Sequence, residues 1–85
     1  MPIIDKVIPL DGYKVLIELK NGHSIILDFE NKLDTLRFSE LENKDLFRKV
    51  KTDGFSLLWN KGKLKVSIGE VLQMLQDIRS LFKVV

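Results

Sequence analysis

YKVLIELKNGHSIILDF, residues 13–29, reads as two antiparallel strands around a turn. Tyr13, Val15, Ile17 and Leu19 recur at every second position before Asn21-Gly22, and His23, Ile25, Leu27 and Phe29 resume that period after it. A period of two sends alternate side chains to opposite faces, so each strand offers one apolar face to a core. Loop length then sets the register, and a slip of one residue turns every side chain to the other face. A two-residue Asn21-Gly22 loop would oppose Ile17 with Ile26 and Val15 with Asp28, which puts the apolar sets in conflict. A three-residue loop, Lys20-Asn21-Gly22, opposes Leu19 with His23, Ile17 with Ile25, Val15 with Leu27 and Tyr13 with Phe29. Gly22 then takes the left-handed position of a type I turn with a G1 bulge, where a missing Cβ removes the steric penalty. This second register is the expected one. It also sets Leu16 opposite Ile26 as a small apolar patch on the reverse face.

Upstream, IDKVIPL (4–10) reads as a first strand, with Pro9 placing it at an edge or strand end where a lost N–H matters least. Asp11-Gly12 turns the chain into the hairpin. Downstream, ENKLDTLRFSELENKDLFRKV (30–50) loses the alternation, and Leu33, Leu36, Phe38 and Leu41 are expected to line an irregular or single-turn segment. Asn43 is placed to cap a short helix from Lys44 to Val50, with Leu46, Phe47 and Val50 facing inward. Asp45 near its start and Arg48 and Lys49 near its end suit the helix dipole. FSLLW (55–59) and KLKV (63–66) read as short strands joined across Asn60-Lys61-Gly62.

Ser67 and Glu70 spell an S-x-x-E capping box, in which each side chain satisfies a backbone N–H at a helix start. Ile68, Val71, Leu72, Leu75, Ile78 and Phe82 then keep to one helical face. Met74, Leu81 and Val85 widen that stripe. Either the helix is covered all round, or its end frays and the last apolar residues mean little, or the surplus face is buried in a helix-mediated homodimer.

The expected fold class is α+β: a small, mostly antiparallel sheet of four to five strands, with a short central helix and a C-terminal helix packed on it. Its expected core is Val7, Val15, Ile17, Leu19, Ile25, Leu27, Phe29, Phe47, Val50, Leu58, Trp59, Val71, Leu75 and Ile78. At 85 residues the chain suits one domain, residues 1–85. With 45% hydrophobic and 31% charged residues it is expected to fold rather than stay disordered. No apolar run approaches the ~20 residues that span a bilayer, so no membrane association is expected. The first residues, MPIIDKVIPLDGY, lack the pattern of a signal peptide. With no cysteine there is no disulfide, thiol nucleophile or thiolate metal site, and a cytoplasmic location is expected.

Charge is unevenly spread. Residues 1–47 hold six Lys/Arg against nine Asp/Glu, whereas residues 48–65 hold Arg48, Lys49, Lys51, Lys61, Lys63 and Lys65 against Asp53 alone. These cations suit phosphates, and Trp59 or Phe55 could stack on a base, which makes the segment a candidate nucleic-acid surface. The plainer reading puts Leu58 and Trp59 in the core and leaves the lysines to solvate and protect strand edges.

Several weak motifs fall in a familiar order. They are Ile4-x-x-Val7-x-Pro9, the hairpin with Tyr13, Asn21-Gly22 and Phe29, then Leu46-Phe47-x-x-Val50-x-x-Asp53-Gly54, and Leu58-Trp59 followed by Gly62. This order resembles the small bacterial family catalogued as domain of unknown function 2442, over nearly the whole chain. Where that family tends to carry a short acidic or polar segment before its last helix, this chain has KLKVSIGEVL, matching only at Ser67 and Glu70. The resemblance implies a compact α+β domain in a regulatory or toxin–antitoxin setting. It implies no catalytic residue.

The residues themselves offer little chemistry. His23 is the sole histidine and falls at a hairpin turn. The serines lack a nucleophile-elbow context. Asp28/Glu30 and Glu40/Glu42 are paired carboxylates more simply read as a solvated face. The glycines are too far apart to cradle a phosphate. No enzyme and no cofactor are expected. The expected function is protein interaction, as a homodimer or an antitoxin-like partner binder, through Met74, Leu81 and Val85 or through Leu16 and Ile26. The alternative is a nucleic-acid-binding regulator using residues 48–65.

Overall fold

A computed structural model describes residues 2–82, with side chains described for residues 2–75. Three strands, β1 (Ile4–Leu10), β2 (Lys14–Leu19) and β3 (Ser24–Asp28), form an antiparallel sheet in that order. β2 and β3 pair Val15 with Leu27, Leu16 with Ile26 and Ile17 with Ile25, as the three-residue loop requires. Gly22 donates its N–H to Leu19 O at 3.0 Å and has φ +93°, so the left-handed position falls on the residue that bears it without strain. On the other side of β2, β1 sets Val7 opposite Ile17 and Pro9 opposite Val15, which makes Pro9 an edge-strand residue. A bulge between Ile4 and Lys6 lets Ile4 and Val7 both turn inward.

A second antiparallel sheet follows, from β4 (Lys51–Thr52), β5 (Ser56–Trp59) and β6 (Leu64–Ser67), in that order. The expected single sheet of four to five strands is therefore replaced by two sheets of three. The seam shows why. Among the described residues the backbone link between the sheets is one bond, Ile4 N–H to Gly54 O at 2.8 Å. Gly54 lies in the turn after β4, which at two residues is too short to extend a ladder along β1.

The two sheets share one core. Val15, Ile17, Leu27 and Phe29 meet Leu57, Trp59, Leu64 and Val66, and Phe38, Leu41, Phe47 and Val50 fill the space between. Trp59 sits at the centre, with its ring centroid 5.3 Å from that of Phe29 edge-on and 5.9 Å from that of Phe47 in a stack. Leu58, expected in this core, is displaced by Leu57. Once Trp59 points inward, the alternation of β5 sends Leu57 inward with it and Leu58 to the opposite face. Val7, Ile25 and Leu75 pack against the core without being fully buried, and Ile78 lies outside the described side chains.

The connecting segment is irregular, as expected, with short 3₁₀ turns at Glu30–Lys32 and Ser39–Glu42. Phe38 and Leu41 are buried, but Leu36 is 99% exposed rather than lining the core. The helix α1 (Lys44–Phe47) is capped by Asn43, whose Oδ1 accepts from the N–H groups of Asp45 and Leu46 at 3.0 and 3.3 Å. It stops short of Val50 because the chain must already be extending toward β4.

The last element, α2 (Ile68–Phe82), begins with both halves of the capping box formed. Glu70 N–H donates to Ser67 Oγ at 3.2 Å and Ser67 N–H to Glu70 Oε1 at 3.5 Å. Arg37 clasps the same carboxylate from the irregular segment and also donates to Lys65 O at 2.8 Å. That contact ties the loop to the helix start.

Candidate interaction surfaces

Strand pairing builds the first surface. Lys51 of β4 and Lys65 of β6 both lie opposite Leu58, so the half-buried leucine sits on the outer face of the second sheet between two lysines. Beside it, Arg48, Lys49, Lys51 and Lys61 rim a groove of about 680 Å³, whose walls include Leu46, Val50 and Leu58. The loop that closes the groove is strained. Asn60, Lys61 and Gly62 are successively left-handed, at φ 53°, 58° and 86°. Asparagine tolerates that region, but lysine there costs about 1–2 kcal/mol. The conformation turns the chain from β5 to β6 and brings Lys61 to the rim.

The basic segment is thus only partly assembled into a site. Arg48, Lys49, Lys51 and Lys61 converge; Lys63 and Lys65 are exposed but do not line the groove. Arg48 is partly matched, with Asp11 at 4.0 Å. Trp59 takes the place in the core that the sequence leads one to expect, and so does not serve as the stacking platform of the alternative reading. It is 1% exposed, its indole N–H donates to Phe47 O at 3.0 Å, and its ring is stacked on Phe47 and edge-on to Phe29. Phe55 is 54% exposed but stands apart from the groove. Asp53 holds the preceding turn: its carboxylate accepts the N–H of Phe55 at 2.9 Å, which lowers its pKa and keeps it charged.

The second surface is the outer face of the hairpin sheet. Pairing aligns Ile8, Leu16 and Ile26 in one row across all three strands. Leu16 is half-buried and Ile26 is 58% exposed. Ile8 completes a patch of which the sequence had shown only Leu16 and Ile26. Beside the row, Lys6 and Glu18 pair at 3.7 Å. On the helix, Met74 is half-buried against the core instead of standing on a free stripe, while Leu81 and Val85 lie outside the described side chains.

Chemically, the groove supplies cationic donors over apolar walls, suited to carboxylates or phosphates. Among the described residues no three His, Asp or Glu side chains converge as metal ligands, and no helix is long and apolar enough to cross a membrane. Leu46 and Leu58 were not singled out as site residues in the sequence. The signal was present for Leu58, since lysines two strands apart become its neighbours once β5 is paired. No family model matches the chain, and no match is found among curated proteins or solved structures.

Proposed function

We propose that this chain is a non-enzymatic, cytoplasmic protein-interaction module whose cationic groove receives an acidic segment of a partner protein carrying an apolar anchor. The observation that carries this reading is the joining of four cations, Arg48, Lys49, Lys51 and Lys61, to the apolar walls at Leu46 and Leu58. Carboxylates pair at the rim, and one apolar side chain loses water between the leucines. A groove of this kind fits an antitoxin-like or regulatory role of the sort that the resemblance to domain of unknown function 2442 implies.

A nucleic-acid ligand is the second reading, favoured by the same four cations. Against it, the aromatic that would stack on bases is committed to the core. Trp59 is the chain's sole tryptophan and borders the groove from the core beneath it, so its emission serves as a probe of binding there. Titration with a short Glu/Leu peptide is expected to shift that emission, and Lys51→Glu with Lys61→Glu to abolish the shift. An all-Glu peptide should bind more weakly. Equal binding of a DNA duplex, with steep loss on adding salt, would favour the nucleic-acid reading instead.

A further inference from the structure

The open edge of β3 carries an inference independent of the groove. Leu19 N–H donates to His23 O at 2.8 Å and Phe29 N–H to Tyr13 O at 2.9 Å, so Ile25 and Leu27 between them also bond to β2. The intervening residues, Ser24, Ile26 and Asp28, turn their N–H and C=O groups away from β2. β3 is the last strand of its sheet, and among the described residues these groups meet no backbone partner. The two outer edges of this sheet differ. β1 carries a lysine, a proline and a bulge, the devices that block edge pairing, whereas β3 (SIILD) has none of them and exposes Ile26 at its centre.

We propose that β3 pairs with β3 of a second copy of this chain, antiparallel across a two-fold axis at Ile26. In this register Ile26 faces the partner's Ile26, and Ser24 faces the partner's Asp28. Each facing pair exchanges both backbone bonds. The edge complements itself: hydroxyl meets carboxylate, isoleucine meets isoleucine, and no like charges oppose one another. Shifted registers pair fewer of these residues, or set Asp28 against Ile26 or against its own counterpart. The hairpin sheets of the two copies become one six-stranded sheet, and the Ile8–Leu16–Ile26 row runs unbroken through the interface.

The test is light scattering on the full chain over a concentration series. A species of twice the 9.8 kDa protomer mass is expected. Ile26→Pro removes an N–H that faces away from β2, leaving the hairpin's own ladder intact, and should weaken the dimer by about a hundredfold. Ile26→Val should leave it unchanged, as should Lys51→Glu with Lys61→Glu, which separates this interface from the groove. Amide exchange provides the check that needs no variant: the N–H groups of Ser24, Ile26 and Asp28 become protected as concentration rises. A chain monomeric throughout, or a dimer whose edge amides stay unprotected, overturns the proposal.

Discussion

The indole N–H of Trp59 donates to the backbone carbonyl of Phe47 at 3.0 Å, inside a core from which water is excluded. The bond joins the end of α1 to the middle of the second sheet, and the stacked rings of the same two residues reinforce it. Trp59→Phe would keep most of the apolar volume but leave the Phe47 carbonyl unpartnered. The expected loss is about 1–3 kcal/mol, read from urea unfolding followed by circular dichroism. Trp59→Ala adds a cavity and should cost about 3–5 kcal/mol.

The Arg37–Glu70 contact makes stability depend on pH. The hydrogen bond from Arg37 holds the Glu70 carboxyl below its ordinary value of 4.5, with charge attraction acting the same way. A carboxylate whose pKa is depressed on folding contributes stability that is complete above its unfolded pKa and lost as pH falls through the folded value. Both side chains are over a third exposed, so solvent screening keeps the contribution near ~0.5–1 kcal/mol. Unfolding midpoints measured between pH 7 and pH 3 should fall less steeply in Glu70→Gln than in the parent chain.

Gly22→Ala isolates a conformational effect. A Cβ at this position would meet nothing within 4 Å, yet φ is +93°. The expected cost is therefore one of backbone strain alone, about 1–2 kcal/mol, with the packing of the hairpin unchanged. Equilibrium unfolding gives the number, and unaltered amide shifts away from the turn would show that the register held.

Lys61→Gly should act in the opposite direction on stability. Relieving a left-handed lysine is expected to gain about 0.5–1 kcal/mol, since glycine also adds entropy to the unfolded chain. The same change removes one cation from the groove rim. A more stable variant with weaker affinity for an acidic peptide is the outcome expected, measured by thermal melts and by Trp59 fluorescence.

What could be read in the sequence was what neighbouring residues determine among themselves. The register of β2 and β3 follows from a three-residue loop and one glycine, and the start of α2 follows from Ser67 and Glu70. The division into two sheets depends on β4, a two-residue strand with no period to detect. Leu57 and Leu58 are equally apolar in FSLLW, and only the position of Trp59 tells which of them faces inward. The groove draws residues 46–51 together with 58–62, two segments joined by pairing between β4 and β5. Its cations were visible in the sequence; its apolar walls were not.

Leu36, 99% exposed, lies between the strands of the first sheet and all those of the second. The inner faces of both sheets line one core, to which Phe38, Leu41, Phe47 and Val50 also contribute. A cut beside Leu36 therefore divides one core between two pieces: Ile4, Val15, Ile17, Leu19, Leu27 and Phe29 go to the first, and the rest stay with the second. Separately expressed halves, each fused to a different bait, are therefore expected to complete the shared core only when the baits meet.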